Sequence, residues 1–106
     1  MEVEERIKDH VANNKVILFM KGTPQMPMCG FSSRTSAALK ECEREFAYVN
    51  VIQDSEVRER LPAYSDWPTF PQLFIDGELI GGCDIVMEMH ESGALKQMIQ
   101  AAVPAS

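Results

Sequence analysis

The stretch Val16-Ile17-Leu18-Phe19-Met20-Lys21-Gly22-Thr23-Pro24-Gln25-Met26-Pro27-Met28-Cys29-Gly30-Phe31-Ser32 carries the reading of the whole chain. Val16 to Met20 is an unbroken apolar run of strand length, the pattern of a strand covered on both faces of a sheet. Lys21-Gly22 ends the run. A loop over 23–28 follows, in which Pro24 and Pro27 fix φ and stiffen the path. Phe31, Thr35, Ala38, Leu39 and Cys42 then fall at helical spacing and predict an inward helical face. Cys29 therefore stands at a helix start, where backbone N–H groups lack partners within the helix. The helix dipole adds positive potential there and favours the thiolate, the form that attacks sulfur and ligates metal.

Working outward, 106 residues with 45% hydrophobic and 25% charged composition fit one compact domain spanning 1–106. No apolar run reaches the roughly 20 residues that span a bilayer. The acidic start Met1-Glu2-Val3-Glu4-Glu5 lacks the basic and apolar regions of a targeting peptide, so the cytoplasm is the expected compartment. A net charge of −6 argues against a binder of phosphate backbones. The 3 cysteines, Cys29, Cys42 and Cys83, do not suit a disulfide framework, and no pair has C-x-x-C spacing. A metal centre, if present, would need ligands from outside the chain.

Before the central stretch, Val3, Ile7 and Val11 line one face of a helix that Asn13-Asn14 ends. His10 is expected on its solvated side. Beyond the Cys29 helix, Cys42 reads as a core position, and the charges from Glu41 to Glu45 as a solvated helix end. Residues 46–51 read as a strand that runs parallel to the first, since a helix crosses between them. Asp54 is a candidate N-cap for a helix with Val57 and Leu61 inward and Pro62 near its end. Trp67-Pro68-Thr69-Phe70-Pro71 is extended and rigid. Asp76-Gly77 links strands over 72–75 and 78–80 as a two-residue hairpin turn. Gly81-Gly82 breaks the second strand, and Asp84 is a candidate cap for the next helix. Ile85, Met89, Leu95, Met98, Ile99 and Ala102 supply the inward faces of two helical pieces divided at Ser92-Gly93. The order α-β-α-β-α-β-β-α-α is that of an α/β, thioredoxin-like fold: a mixed four-stranded sheet flanked by helices.

Lys21-Gly22-Thr23-Pro24, Cys29-Gly30-Phe31-Ser32, Trp67-Pro68-Thr69-Phe70-Pro71-Gln72 and Gly81-Gly82-Cys83-Asp84 occur together and in this order. In this the chain resembles the monothiol glutaredoxins of the CGFS type, single-domain and bacterial-like, over nearly its whole length. The resemblance implies that Cys29 is the active cysteine. Ser32 occupies the position of the second cysteine of dithiol relatives. A hydroxyl can donate to sulfur but cannot form a disulfide, so dithiol chemistry within this motif is excluded.

The resemblance also implies a glutathione site. Lys21 and Arg58 are candidates for the glycyl carboxylate. Thr69, Phe70 and Pro71 resemble a cis-proline loop whose backbone pairs with the peptide. Gly82, Cys83 and Asp84 resemble the segment that holds the γ-glutamyl end. Each has a plain alternative: surface charges at Lys21 and Arg58, a simple cap at Asp84, a trans turn at Pro71. Cys83 is either a resolving thiol or, more simply, a small side chain whose N–H meets the ligand. Met26 and Met28 either form a contact surface near the sulfur or pack against Trp67 or Phe31.

A [2Fe–2S] cluster commonly takes four thiolates. The resemblance implies a homodimer in which two Cys29 thiolates and two glutathiones supply them. The expected function is therefore iron–sulfur cluster assembly or transfer, with Cys29 as metal ligand and iron–sulfur apoproteins as acceptors. A heterodimer with a BolA-type protein is also implied. The alternative is a glutathione-dependent thiol–disulfide oxidoreductase working by a monothiol mechanism. Neither nucleic acid nor membrane is expected as a partner.

Overall fold

The computed structural model describes residues 2–105. Its elements are α1 Val3–Asn13, β1 Val16–Met20, α2 Gly30–Lys40, β2 Ala47–Asn50, α3 Ser55–Ser65, β3 Gln72–Ile75, β4 Glu78–Gly81, α4 Cys83–Ser92 and α5 Ala94–Ala102. The strands form one sheet in the order β2-β1-β3-β4. β1 pairs with β2 in parallel and with β3 antiparallel, and β3 pairs with β4 antiparallel.

Alternation along β1 explains the two layers of the core. Val16, Leu18 and Met20 face Leu39, Val86, Leu95 and Ile99 of α2, α4 and α5. Ile17 and Phe19 face Ile7, Val11, Val57 and Leu61 of α1 and α3. Every residue of β1 is buried because helices cover both faces. Each such large apolar side chain contributes about 1.5–3 kcal/mol. The Asp54 carboxylate accepts from Val57 N–H at 3.2 Å and caps α3 as expected. Asp76 and Gly77 have φ of 51° and 82°, the pair of positive values that a tight hairpin needs.

Several local expectations are corrected. Phe31 is 53% exposed rather than inward: in the first turn of α2 it is Ser32 that turns inward, at 0% exposure, while Phe31 lies on the side that lines a surface groove. Thr35 is buried as expected, and Ser32 and Ser36 are buried beside it. The hydroxyls of Thr35 and Ser36 are satisfied by donating to the carbonyls of Phe31 and Ser33. Asp84 is not the cap of α4: Gly82 is, in extended conformation, and Asp84 falls in the first turn. The helix thus begins earlier than the sequence suggests, and its inward stripe shifts with it. Val86 is fully buried, while Ile85 and Met89 are only half-buried. Met98 is exposed, leaving Leu95, Ile99 and Ala102 as the inward set of α5. The second strand is shorter than expected, with Phe46 and Val51 flanking it. Pro62 lies inside α3, which runs on to Ser65. His10 is half-buried, edge-on to Phe19 at 6.2 Å between ring centroids.

Candidate functional site

The site begins with the loop between β1 and α2. Met28 N–H donates to Lys21 O at 2.9 Å, and Thr23 and Met26 exchange backbone hydrogen bonds at 3.1 and 3.0 Å. The loop therefore closes on itself. Gly22 makes this closure feasible: its φ is 91°, and a Cβ there would stand 2.5 Å from the Met26 carbonyl oxygen. Two outside groups hold the loop. Lys40 Nζ donates to Pro24 O at 2.7 Å, and Gly22 N–H donates to Asn50 Oδ1 at 3.0 Å. Met26 and Met28 remain 73% and 63% exposed, so they do not pack away against Trp67 or Phe31.

The loop delivers Cys29 to the N-cap of α2 in extended backbone, with φ −156° and ψ 137°. The residue is partly exposed. Its thiol pKa is lowered, chiefly by the Ser32 backbone N–H. Burial opposes this, while the Phe31 N–H, the Lys21 charge and the Ser32 hydroxyl assist. Ser32 Oγ accepts from Lys21 N–H at 3.0 Å, which leaves the hydroxyl proton free for the sulfur. The helix start thus favours a thiolate, as anticipated, and most of the effect comes from individual N–H groups.

Two adjoining hollows flank Cys29. One, of about 460 Å³, is lined by Lys21, Cys29, Phe31, Arg58, Pro62, Pro68, Thr69 and Phe70. The other, of about 380 Å³, is lined by Phe31, Trp67, Thr69, Phe70, Gly82, Cys83, Asp84 and Ile85. Phe31, Thr69 and Phe70 belong to both, so together they make one groove with cations at one end and a carboxylate at the other. The N-terminus of α4 opens at the Asp84 end and adds backbone donors. Pro71 does not line the groove. It is buried, joined to Phe70 by a cis peptide bond. Its carbonyl comes so near Gly82 that a Cβ there would be 3.3 Å from it and 3.1 Å from Trp67 Nε1. Cys83 is 8% exposed at the groove floor.

Gln72 supports the wall from inside. It is fully buried, and its Nε2 donates to Trp67 O at 2.9 Å and Thr69 O at 3.1 Å. The Arg34 guanidinium sits 5.3 Å over the Phe31 ring. A larger, more open hollow of about 590 Å³ around His10, Tyr48, Asn50, Asp54 and Glu56 has no thiol. Chemistry, not size, therefore selects the groove.

Most sequence-derived candidates converge: Lys21, Cys29, Arg58, Thr69, Phe70, Gly82, Cys83 and Asp84 all line the groove, and Pro71 shapes it from beneath. Phe31, Pro62, Trp67, Pro68 and Ile85 were missed as wall residues. The rigid Trp67–Pro68 segment was the available signal for two of them, whereas nothing in the local pattern singled out Asn50. Among the described residues no group of three or more His, Cys, Asp or Glu side chains is placed to hold a metal ion. No described helix is long and apolar enough to cross a membrane.

A family profile described as Glutaredoxin matches residues 16–80. The chain is 51% identical over 96 residues to Glutaredoxin 4 of Escherichia coli strain K12, covering 91% of this chain and 84% of that protein. The solution structure of reduced poplar apo GrxS14 matches with a TM-score of 0.80 at 44% identity, over 94% of this chain and 92% of that one. A buckwheat glutaredoxin–glutathione complex matches with a TM-score of 0.82 at 27% identity, over 94% of this chain and 89% of that one. The fold is the thioredoxin-like fold of these proteins.

Proposed function

The chain belongs to the glutaredoxin family, as a monothiol member of the CGFS type, and from this we propose that it binds glutathione and carries a [2Fe–2S] cluster. The groove supports the glutathione reading. Lys21 and Arg58 would take the glycyl carboxylate. The backbone around Thr69 and Phe70 would pair with the peptide. The α4 N-terminus at Gly82 and Cys83 would take the γ-glutamyl carboxylate, with Asp84 facing its ammonium. Bound in that direction, the tripeptide would bring its thiol to the Cys29 side of the groove. The buckwheat relative, by its description, forms a complex with glutathione.

The observation that carries the cluster reading is a single accessible thiol, its pKa lowered, with no co-ligands among the described residues. Cys42 is buried, Cys83 is almost buried, and no described cluster of ligating side chains surrounds Cys29. One chain thus offers one thiolate. Two chains and two glutathiones would offer four, the number such a cluster takes. The cluster is cargo here: half its ligands would belong to a dissociable peptide, which suits hand-over to apoproteins. Met26, Met28 and Phe31 would form an apolar margin for the second copy or for a BolA-type partner. The cytoplasm is the compartment this reading assumes.

The lowered Cys29 pKa also supports a second activity, weaker than that of dithiol relatives. The Cys29 thiolate would attack the glutathione sulfur of a mixed disulfide and release the substrate thiolate. A second glutathione thiolate would then attack the Cys29–glutathione disulfide, releasing oxidised glutathione and restoring the Cys29 thiolate.

Purification without oxygen in the presence of iron, sulfide and glutathione tests the main reading. A coloured dimer with matching iron and sulfide counts is expected, and Cys29→Ser should be colourless and monomeric. A cluster retained by Cys29→Ser, or assembled equally well without glutathione, would overturn it. Fast steady-state deglutathionylation without any cluster would favour the second activity.

A further inference from the structure

Asn50 closes β2, is half-buried, and lines neither hollow of the groove. Four backbone N–H groups converge on it. Its Oδ1 accepts from Gly22 N–H and from Ile52 N–H, each at 3.0 Å. Its carbonyl accepts from Gln53 N–H at 3.1 Å and Asp54 N–H at 3.0 Å. These bonds lead to two separate parts of the groove. The Gly22 bond fixes the backbone next to Lys21 where the chain leaves β1. The other three shape the turn into α3, where Asp54 caps the helix and its carbonyl accepts from Arg58 N–H at 3.1 Å.

Lys21 and Arg58 are the two cations of the groove, and they come from different elements. Among the described residues neither forms an ion pair within the chain. Their relative placement therefore depends on the backbone that carries them, and the side chain of Asn50 is a direct link between those two backbones. Without its oxygen, Gly22 N–H would be buried and unpaired, an unfavourable state that the loop could relieve only by moving. Moving the loop displaces Lys21 relative to Arg58.

We infer that Asn50 is a positioning residue that sets the spacing of Lys21 and Arg58, and with it the preference of the groove for a ligand whose C-terminal carboxylate is free. The inference rests on the glutathione reading above. A residue that merely stabilises the fold would weaken all ligands alike. A residue that spaces two cations weakens the one with the carboxylate.

The test compares glutathione with its glycyl ethyl ester, which lacks that negative charge, by NMR titration of the wild-type chain and Asn50→Ala. The wild-type chain should prefer glutathione about tenfold, as expected for paired charge-assisted hydrogen bonds. Asn50→Ala should reduce the preference to about threefold or less and leave the affinity for the ester within about twofold, since the ester makes no use of the paired charges. Equal weakening of both ligands, or an undiminished preference, overturns the inference while leaving the glutathione site standing. A wild-type chain that binds neither ligand removes the glutathione assignment itself and the inference with it, whereas one that binds both equally removes the pairing of Lys21 and Arg58 with the glycyl carboxylate and so the inference alone. Amide exchange gives a measurement independent of any variant: Gly22 N–H in the wild-type chain should be strongly protected, and exchange at the rate of a free amide overturns the inference even if Asn50→Ala does not fold.

Discussion

Two cysteines lie at opposite ends of α2, and the same helix treats them in opposite ways. Cys29 caps the N-terminus, where the N–H groups of Ser32 and Phe31 and the Lys21 charge pull its thiol pKa below the ordinary value of 9.0. Cys42 lies just past the C-terminus at 1% exposure, where burial pushes its pKa up and its thiol donates to Ala38 O at 3.5 Å. One end of a helix presents unpaired donors and the other unpaired acceptors. A thiolate can use the first and a neutral thiol the second. Residue type is identical, so the contrast isolates environment as the source of reactivity.

The strongest way to break the contrast is to remove each thiol. Cys29→Ser should reduce glutathione-dependent deglutathionylation by more than about 100-fold. Cys42→Ala should leave that rate within about twofold and lower unfolding stability by roughly 1 kcal/mol, measured in urea, through the small void it creates. Comparable losses of activity from the two variants would remove the distinction.

A second intervention leaves both thiols in place and disturbs the loop that serves only one of them. Gly22→Ala puts a Cβ 2.5 Å from Met26 O at a φ of 91°. Urea unfolding should show a loss of about 2–3 kcal/mol, and alkylation of Cys29 should slow while Cys42 stays unreactive in the folded chain. Ser32→Ala is milder. It removes a hydroxyl that assists Cys29 but keeps the backbone N–H that contributes most. Iodoacetamide labelling near neutral pH should slow by about threefold or less; a larger drop would mean that the hydroxyl, not the helix start, governs the thiolate.

The smallest expected effect is on the pH dependence of stability, and its sign differs between the two sites. Because the Cys29 pKa is lowered on folding, its contribution is complete above the ordinary thiol value and fades as pH falls through the folded value. Because the Cys42 pKa is raised, its contribution is complete below the ordinary value and fades as pH rises through the folded value. Denaturation across this range should therefore show the wild-type chain gaining on Cys29→Ser with rising pH. It should lose ground to Cys42→Ala only in the alkaline limb.

Much of this was legible along the chain. The run from Val16 to Met20, the Asp54 cap and the Asp76-Gly77 turn are local patterns, and local patterns survive into the fold because they depend on neighbours in sequence. The place of Cys29 at a helix start was legible for the same reason. Errors arose where a residue's direction depended on what lay opposite. Phe31 looked like core at helical spacing, yet faces the groove, because Ser32 is the residue of that turn of α2 that meets the end of β1. The stripe of α4 shifted because Gly82, not Asp84, begins the helix.

The order of elements along the chain, the place of the thiol and its lack of a resolving partner within the motif were thus already contained in 106 residues of text. The joining of Lys21 and Arg58 with Phe70 and Asp84 along one groove, the prop that Gln72 places behind it and the tie that Asn50 makes between the backbones at Gly22 and Ile52 required the folded chain. Periodicity and caps are written in short-range spacing. The meeting of distant side chains depends on strand register and helix packing, which no single stretch encodes.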